Sequence, residues 1–186
     1  MPWAAALLHE KTLKQSQVPV RTTVRRTREI KPDGTNPQET GAGFAFVEWA
    51  HREKFDYPEG ARHLFAKCGS AAEAFLLRDA CSVSFLPKYS TDRVETINGA
   101  IHPQFSVAGY RVDFAVFSSG VRVAVEVDGG QYHHRSSEQV QYDYLRARSI
   151  MQDGYIVVRF TAAECFADPA RCWSEIGSIV DRHANS

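Results

Sequence analysis

Two stretches in the middle of the chain, 110–117 and 121–127, alternate between apolar residues and polar or small ones. In the second stretch every odd position is valine. A period of two is typical of a half-buried β-strand. The residues between the stretches, 118–120, are Ser-Ser-Gly, so the pattern predicts a β-hairpin with a tight turn.

Helices are predicted on both sides of the hairpin, because capping signals precede runs with helical spacing. Ser70 and Glu73 form a capping box, and Ser136 with Gln139 forms a second one. The predicted elements in chain order are helices over 44–54 and 70–81, a short strand over 105–107, the hairpin, a helix over 136–153, a strand over 155–160 and a last helix from Pro169. This order is typical of an α/β fold in which helices pack on a mixed sheet.

A dense cluster of turn residues over 31–37 divides the chain of 186 residues. We expect an N-terminal arm over 1–37, a helical and loop lead-in over 38–69 and a domain over 70–186. Residues 1–31 carry a net charge of +5, which the rest of the chain balances to zero. A basic arm on a mildly acidic body favours a polyanionic partner, although a solvated tail explains the charge equally well.

The composition excludes several classes of protein. With 44% hydrophobic and 24% charged residues, the chain can bury a core. No apolar run approaches the roughly 20 residues of a membrane span, and no glycine-rich loop predicts a nucleotide cofactor. The four cysteines include no CxxC pair, which predicts a reduced, cytoplasmic protein.

Carboxylates lie on the polar face of the predicted hairpin. A two-residue loop at 119–120 places Asp113 directly across from Glu126, at a Cβ separation of about 5 Å. Two carboxylates that close repel unless a cation lies between them, and hard oxygen ligands suit Mg²⁺. A pairing of Asp113 with a Lys or Arg elsewhere explains the pattern equally well. The same register predicts the pairs Phe114–Val125, Val116–Val123, Val112–Val127 and Arg111–Asp128.

Five segments follow one another along the chain: Tyr110-Arg-Val-Asp-Phe114, Glu126-Val-Asp-Gly129, Tyr132-His133, Gln139-x3-Asp143-x2-Arg146 and Gly154-Tyr-x-Val-Val-Arg-Phe160. Together they resemble the PD-(D/E)XK superfamily of restriction-endonuclease-like nucleases. The closer likeness is to small stand-alone members related to very short patch repair endonucleases. The resemblance covers about 70–182 and implies a restriction-endonuclease-like α/β core, a mixed central sheet flanked by helices, to which this chain adds the basic arm.

The resemblance also implies a Mg²⁺ site, in which Mn²⁺ would substitute. Its ligands would be Asp113, Glu126 and the backbone carbonyl of Val127. Asp128 stands where the family usually has a lysine, which makes it a candidate second-metal ligand or an acceptor for the attacking water. His133 is a candidate to assist the water or the leaving group, since imidazole titrates near neutrality.

Three helical side chains each have two interpretations. Glu73 resembles a carboxylate that reaches a metal through water in some members, but it is also position three of a capping box. Gln139 resembles a glutamine near the active site in several nuclease branches, or it caps Ser136. Arg146 is placed to hold a phosphate bidentately or to pair with Asp143 one turn earlier.

These residues predict a Mg²⁺-dependent DNA endonuclease, whose arm would grip backbone phosphates through Arg21, Arg25, Arg26 and Arg28. A catalytically inactive DNA-binding or protein-interaction module on the same fold is the main alternative, motivated by the missing lysine. An RNA nuclease or toxin is a third, since the metal chemistry does not distinguish the sugars. Cutting both strands with one site per chain would favour a homodimer, and no membrane partner is expected.

Overall fold

The computed structural model describes residues 44–83, 87–129 and 137–185. The predicted arm over 1–37 lies outside these residues, and so do its four arginines. His133 and the predicted cap Ser136 also lie outside them.

In the described residues, one mixed sheet of six strands forms the centre of the fold. The strands are ordered along the sheet as they are along the chain. Neighbours are antiparallel up to the fifth strand, and the fifth and sixth are parallel. The strands are β1 (Lys88–Tyr89), β2 (Val94–Thr96), β3 (Gly99–Val107), β4 (Tyr110–Ser118), β5 (Val121–Asp128) and β6 (Ile156–Thr161).

Helices precede the sheet, connect its two parallel strands and follow it. They are α1 (Phe46–Glu53), α2 (Arg62–Phe65), α3 (Ala71–Val83), α4 (Ser137–Gln152), α5 (Ala162–Ala167) and α6 (Pro169–Ala184). Because β5 and β6 run in parallel, the chain needs a crossover between them, and α4 supplies it. Asp168 accepts a hydrogen bond from the Arg171 amide at 3.0 Å, which confirms the predicted N-cap of the last helix.

The β4–β5 hairpin has the predicted two-residue turn. Ser118 pairs with Val121, and Ser119 and Gly120 both have positive φ, at 51° and 80°. Two successive residues with positive φ are typical of the type I′ turn, whose twist matches that of the strands. The predicted pairs Phe114–Val125 and Val116–Val123 are confirmed.

The main core covers one face of the sheet and joins it to α3 and α6. Phe114 lies 6.4 Å from the ring of Trp173, and the Trp173 indole donates to the Leu76 carbonyl at 2.7 Å. Phe46 and Trp49, from the predicted lead-in, are buried in the same apolar cluster. The lead-in therefore belongs to the main core from residue 46 onward, with Phe46 against Phe65 and Trp49 against Phe75.

A smaller cluster on the other face holds Ala115, Ala124 and Ile150. Val112 packs in this second cluster, so its predicted place beside Phe114 and Val116 is wrong. The departure lies at the gap in the β3–β4 ladder, between the pairs Pro103–Phe114 and Phe105–Val112, where β4 also stops pairing with β5. Within the described residues no helix is both long and apolar enough to cross a membrane.

Candidate active site

Strand β5 loses its pairing with β4, but keeps its pairing with β6, beside the predicted metal ligands. Its antiparallel ladder with β4 ends at the pair Phe114–Val125. Its parallel ladder with β6 continues past that point, through residues 126–128. The two arms of the hairpin therefore part, and Asp113 and Glu126 lie at the parting.

The prediction that Asp113 lies across from Glu126 within the ladder is wrong, and its side chain shows why. Asp113 Oδ2 accepts a hydrogen bond from the Val127 backbone amide at 2.7 Å. Each backbone N–H is a single donor, so this amide is satisfied by a carboxylate where a ladder would use a carbonyl. The ladder also lacks two other predicted pairs, Val112–Val127 and Arg111–Asp128.

Glu126 is a buried carboxylate with a cation on each side. Its side chain is 5% exposed; Oε1 lies 2.7 Å from Arg146 Nη1, and Oε2 lies 3.0 Å from Arg159 Nε. The Oε1 contact lacks hydrogen-bond alignment, so charge alone holds that oxygen. The two guanidinium groups offset the free-energy cost of burying this carboxylate.

Arg146 connects the parted ends of the hairpin. It extends from α4 to Glu126 in β5, and its Nη2 donates to the Arg111 carbonyl in β4. The ion pair with Glu126 is a partner that neither interpretation of Arg146 included. Arg159, on β6, was not singled out as a site residue, although it lies within the segment 154–160 that carries the family resemblance.

Glu73 lies at the helix cap, as predicted, and its carboxylate also contacts Gln104. Its backbone amide donates to Ser70 Oγ at 3.2 Å, which confirms the helix cap, while its carboxylate accepts from the Gly69 amide at 2.7 Å. The same carboxylate accepts from Gln104 Nε2 at 2.7 Å. The cap residue thereby also belongs to the cluster around Asp113.

Gln104 joins the carboxylates, although no sequence motif marks it as a site residue. Its Nε2 lies 2.7 Å from Glu73 Oε2 and 3.3 Å from Asp113 Oδ1. The predicted strand began only at residue 105, and a single glutamine forms no motif. The one signal is its position, nine residues before Asp113 and opposite it across the β3–β4 hairpin.

Both acidic side chains bound to Gln104 hold protons more tightly than usual. Burial, with the Asp113 charge adding to it, raises the pKa of Glu73 from 4.5 to about 7. Burial also raises the pKa of Asp113, and the Glu126 charge adds to the effect, while the Val127 hydrogen bond opposes it. A bound cation would favour the charged forms of both groups.

The remaining candidates lie around this cluster. Asp128 is half-buried at the end of β5, opposite Thr161 in β6. Gln139 is exposed in the first turn of α4, and its capping box with Ser136 lies partly outside the described residues. The structure therefore brings together Asp113, Glu126, Glu73 and Arg146, and it leaves Gln139 on the surface.

An open cavity of about 230 Å³ lies between α4 and β6. Arg159 connects it to Glu126, because the same side chain lines the cavity and pairs with that carboxylate. Its other lining residues are Val140, Asp143, Tyr144 and Ala147.

The donor set fits a hard divalent cation. In the described ranges no group of three or more His, Cys, Asp or Glu side chains is arranged to hold a metal ion. Magnesium, however, keeps several waters and needs only one or two carboxylates. Glu126 Oε1, which is buried without an aligned hydrogen bond, is the oxygen best suited to exchange its guanidinium for such a cation.

Residues 91–179 match the family model REase_MTES_1575, a restriction endonuclease-like family. The match confirms the resemblance to restriction-endonuclease-like nucleases and indicates a nuclease. The matched range contains Gln104, Asp113, Glu126, Arg146 and Arg159. The branch related to very short patch repair endonucleases stays a prediction. No curated protein and no solved structure gives a match.

Proposed function

We propose that this chain, which carries a restriction-endonuclease-like region over residues 91–179, is a Mg²⁺-dependent endonuclease that hydrolyses DNA phosphodiester bonds. The observation that carries the proposal is the pair of carboxylates where β4 and β5 part, the half-buried Asp113 and the buried Glu126. Arg146 and Arg159 compensate Glu126, but the repulsion between the two carboxylates still raises the pKa of Asp113, and a bound cation would offset it.

Asp113, Glu126 and the Val127 carbonyl would hold the cation. Mn²⁺ would substitute for Mg²⁺, because it accepts the same oxygen ligands. Such an ion activates a water molecule and neutralises the charge that develops on a phosphodiester. Asp128, at the end of the same strand, is the candidate for a second cation.

Arg146 and Arg159 supply the positive charge beside this centre. Each guanidinium can hold phosphate oxygens through two parallel hydrogen bonds, which positions a phosphodiester against Glu126. Asp128 can accept a hydrogen bond from water but, unlike lysine, cannot donate one. His133 remains the candidate proton donor to the leaving group, and Gln139 and Glu73 remain candidates to orient water.

DNA is the proposed substrate because of the basic arm. Arg21, Arg25, Arg26 and Arg28 would bind backbone phosphates without reading the sequence. One site per chain favours a homodimer for cutting both strands of a duplex. The four described cysteines are free and buried, which supports a reducing, cytoplasmic location.

The experiment is cleavage of supercoiled plasmid by the purified chain in Mg²⁺, in Mn²⁺ and in EDTA. We expect nicked and linear products with either metal and none in EDTA. Matched DNA and RNA duplexes of one sequence then identify the sugar. Cleavage that persists in EDTA contradicts the metal-dependent reaction, and cleavage of RNA alone contradicts the DNA substrate.

A catalytically inactive nuclease-fold module is the second candidate. It is favoured by Asp128 in place of the usual lysine and by a Glu126 that two arginines already neutralise. Thermal unfolding with and without Mg²⁺ separates the candidates, because a ligand that binds the native state raises Tm. The endonuclease predicts a Mg²⁺-dependent rise, and the inactive module predicts none.

A further inference from the structure

Gln104 has a backbone conformation that its position in a strand does not explain. Its φ is +54°, although it lies in the middle of β3. The other non-glycine residues with positive φ in the described chain, Lys54, Ala108 and Ser119, lie at a helix end or in a hairpin turn. A residue with a Cβ is strained in this region, and such strain persists where the surrounding structure imposes it.

The strain coincides with a gap in the β3–β4 ladder. Pro103 pairs with Phe114 and Phe105 pairs with Val112, but the intervening pair of Gln104 with Asp113 is missing. The two residues are joined instead through their side chains, from Gln104 Nε2 to Asp113 Oδ1. The backbone of Gln104 thus lacks its ladder pair, while its side chain contacts Asp113.

One amide nitrogen with two hydrogens serves two carboxylates here. Gln104 Nε2 lies 2.7 Å from Glu73 Oε2 and 3.3 Å from Asp113 Oδ1. Asp113 Oδ2 is held by the Val127 amide. Both oxygens of Asp113 are therefore held, one from β3 and one from β5, which fixes the plane of the carboxylate.

We propose that Gln104 is a positioning residue that orients Asp113 toward a divalent cation, and that β3 is strained in order to place it. The inference rests on the proposed metal site. Residues that orient a metal ligand from behind typically change metal affinity by 10- to 100-fold when they are removed. A purely structural Gln104 would instead affect folding alone.

Two variants separate these roles, because they remove the same amide but differ in backbone freedom. Glycine tolerates positive φ and alanine does not, so Gln104→Gly should unfold about 2–4 °C above Gln104→Ala in EDTA. Both variants should bind Mn²⁺ about tenfold or more weakly than the wild type in a titration followed by electron paramagnetic resonance. Metal affinity would then depend on the side-chain amide of residue 104, while stability would depend on the backbone freedom of the residue at that position.

Three results would overturn the proposal. If the wild type binds Mn²⁺ and both variants bind it equally well, Gln104 does not position the ligand, although the proposed metal site survives. If Gln104→Gly regains wild-type affinity, backbone strain and not the amide controls the site. If the wild type itself binds no Mn²⁺, the proposed metal site fails and this inference fails with it.

Discussion

The two halves of the β4–β5 hairpin differ in structure, although the same alternation of apolar and polar residues runs through both. In the half nearest the turn, residues 114–118 and 121–125, the ladder is complete and the facing apolar side chains are buried. In the open half, residues 110–113 and 126–128, the strands part. There a side chain satisfies a backbone amide, and buried charges replace apolar pairs.

This contrast indicates that the two halves of one hairpin have different roles. The regular half gains stability from apolar burial, while the open half bears the cost of desolvating Asp113 and Glu126. The last pair of the regular half, Phe114–Val125, directly adjoins Asp113 and Glu126. The ladder thereby fixes the backbone beside the charged site. Mutations in the two halves should therefore change different properties.

The largest expected effect on folding comes from the regular half. Phe114→Ala removes a fully buried ring that packs against Trp173. It should lower the free energy of unfolding by about 3–5 kcal/mol, through lost burial and the cavity that remains. Denaturant unfolding measures this, and a loss below about 1 kcal/mol would contradict the assigned role of this half.

Glu73, which Gln104 links to Asp113 in the open half, should make stability depend on pH. The folded chain holds the Glu73 proton more tightly than the unfolded one, because its pKa rises from 4.5 to about 7. The resulting stability is fully present below pH 4.5 and is lost as pH rises through 7, by at most about 3 kcal/mol.

The difference between wild type and Glu73→Gln isolates this effect, since other titrating groups cancel. In EDTA the wild type should lose stability relative to the variant between pH 4.5 and 7. Saturating Mg²⁺ should reduce that loss, because a cation favours the charged carboxylate. Parallel stability curves for the two proteins would show that Glu73 titrates normally.

Removal of one cation from Glu126 should have a smaller, metal-sensitive effect. Arg146→Ala removes one of the two guanidinium groups that contact Glu126 and leaves Arg159 in place. The loss of one partner of a buried polar group should cost about 1–3 kcal/mol in EDTA. Mg²⁺ should restore part of this stability by compensating the charge. Arg148→Ala, on an exposed position of the same helix, is the matched control and should change stability by under about 0.5 kcal/mol. An equal loss with and without Mg²⁺ would place the cation elsewhere.

The smallest effect is expected at the turn. Asn tolerates positive φ better than Ser, so Ser119→Asn should stabilise the hairpin by about 0.5 kcal/mol. Tm should rise by about 1–2 °C. Plasmid cleavage should be unchanged, because the turn lies at the far end of the hairpin from Asp113. A change in cleavage rate would mean that the two halves are not independent.

The regular half could be predicted from sequence because its information is local. Alternation and a Ser-Gly turn fix one register, and Phe114–Val125 follows from it. Strands β1 and β2 were missed because two or three residues cannot show a period. Most of β3 was missed as well; it contains Pro103, which is tolerated because the β2 ladder ends at Ile101.

The open half could not be predicted in the same way because its geometry depends on distant segments. The hydrogen bond of Asp113 to the Val127 amide replaces the ladder, and the ion pairs of Glu126 require Arg146 and Arg159 from two further elements. The identities of Asp113 and Glu126 followed from the hairpin pattern and the family resemblance. The strained Gln104 could be found only from the backbone.

The most direct test of the central claim is the plasmid cleavage rate of Asp113→Asn in Mg²⁺. Its matched control is Asp153→Asn, at an exposed aspartate that directly follows α4. Asn keeps the shape of Asp113 but removes its charge. We predict a loss of about a thousandfold or more for Asp113→Asn, with thermal unfolding showing a folded protein, and a wild-type rate for Asp153→Asn. Equal cleavage by the two variants would contradict a catalytic centre at the parting of β4 and β5.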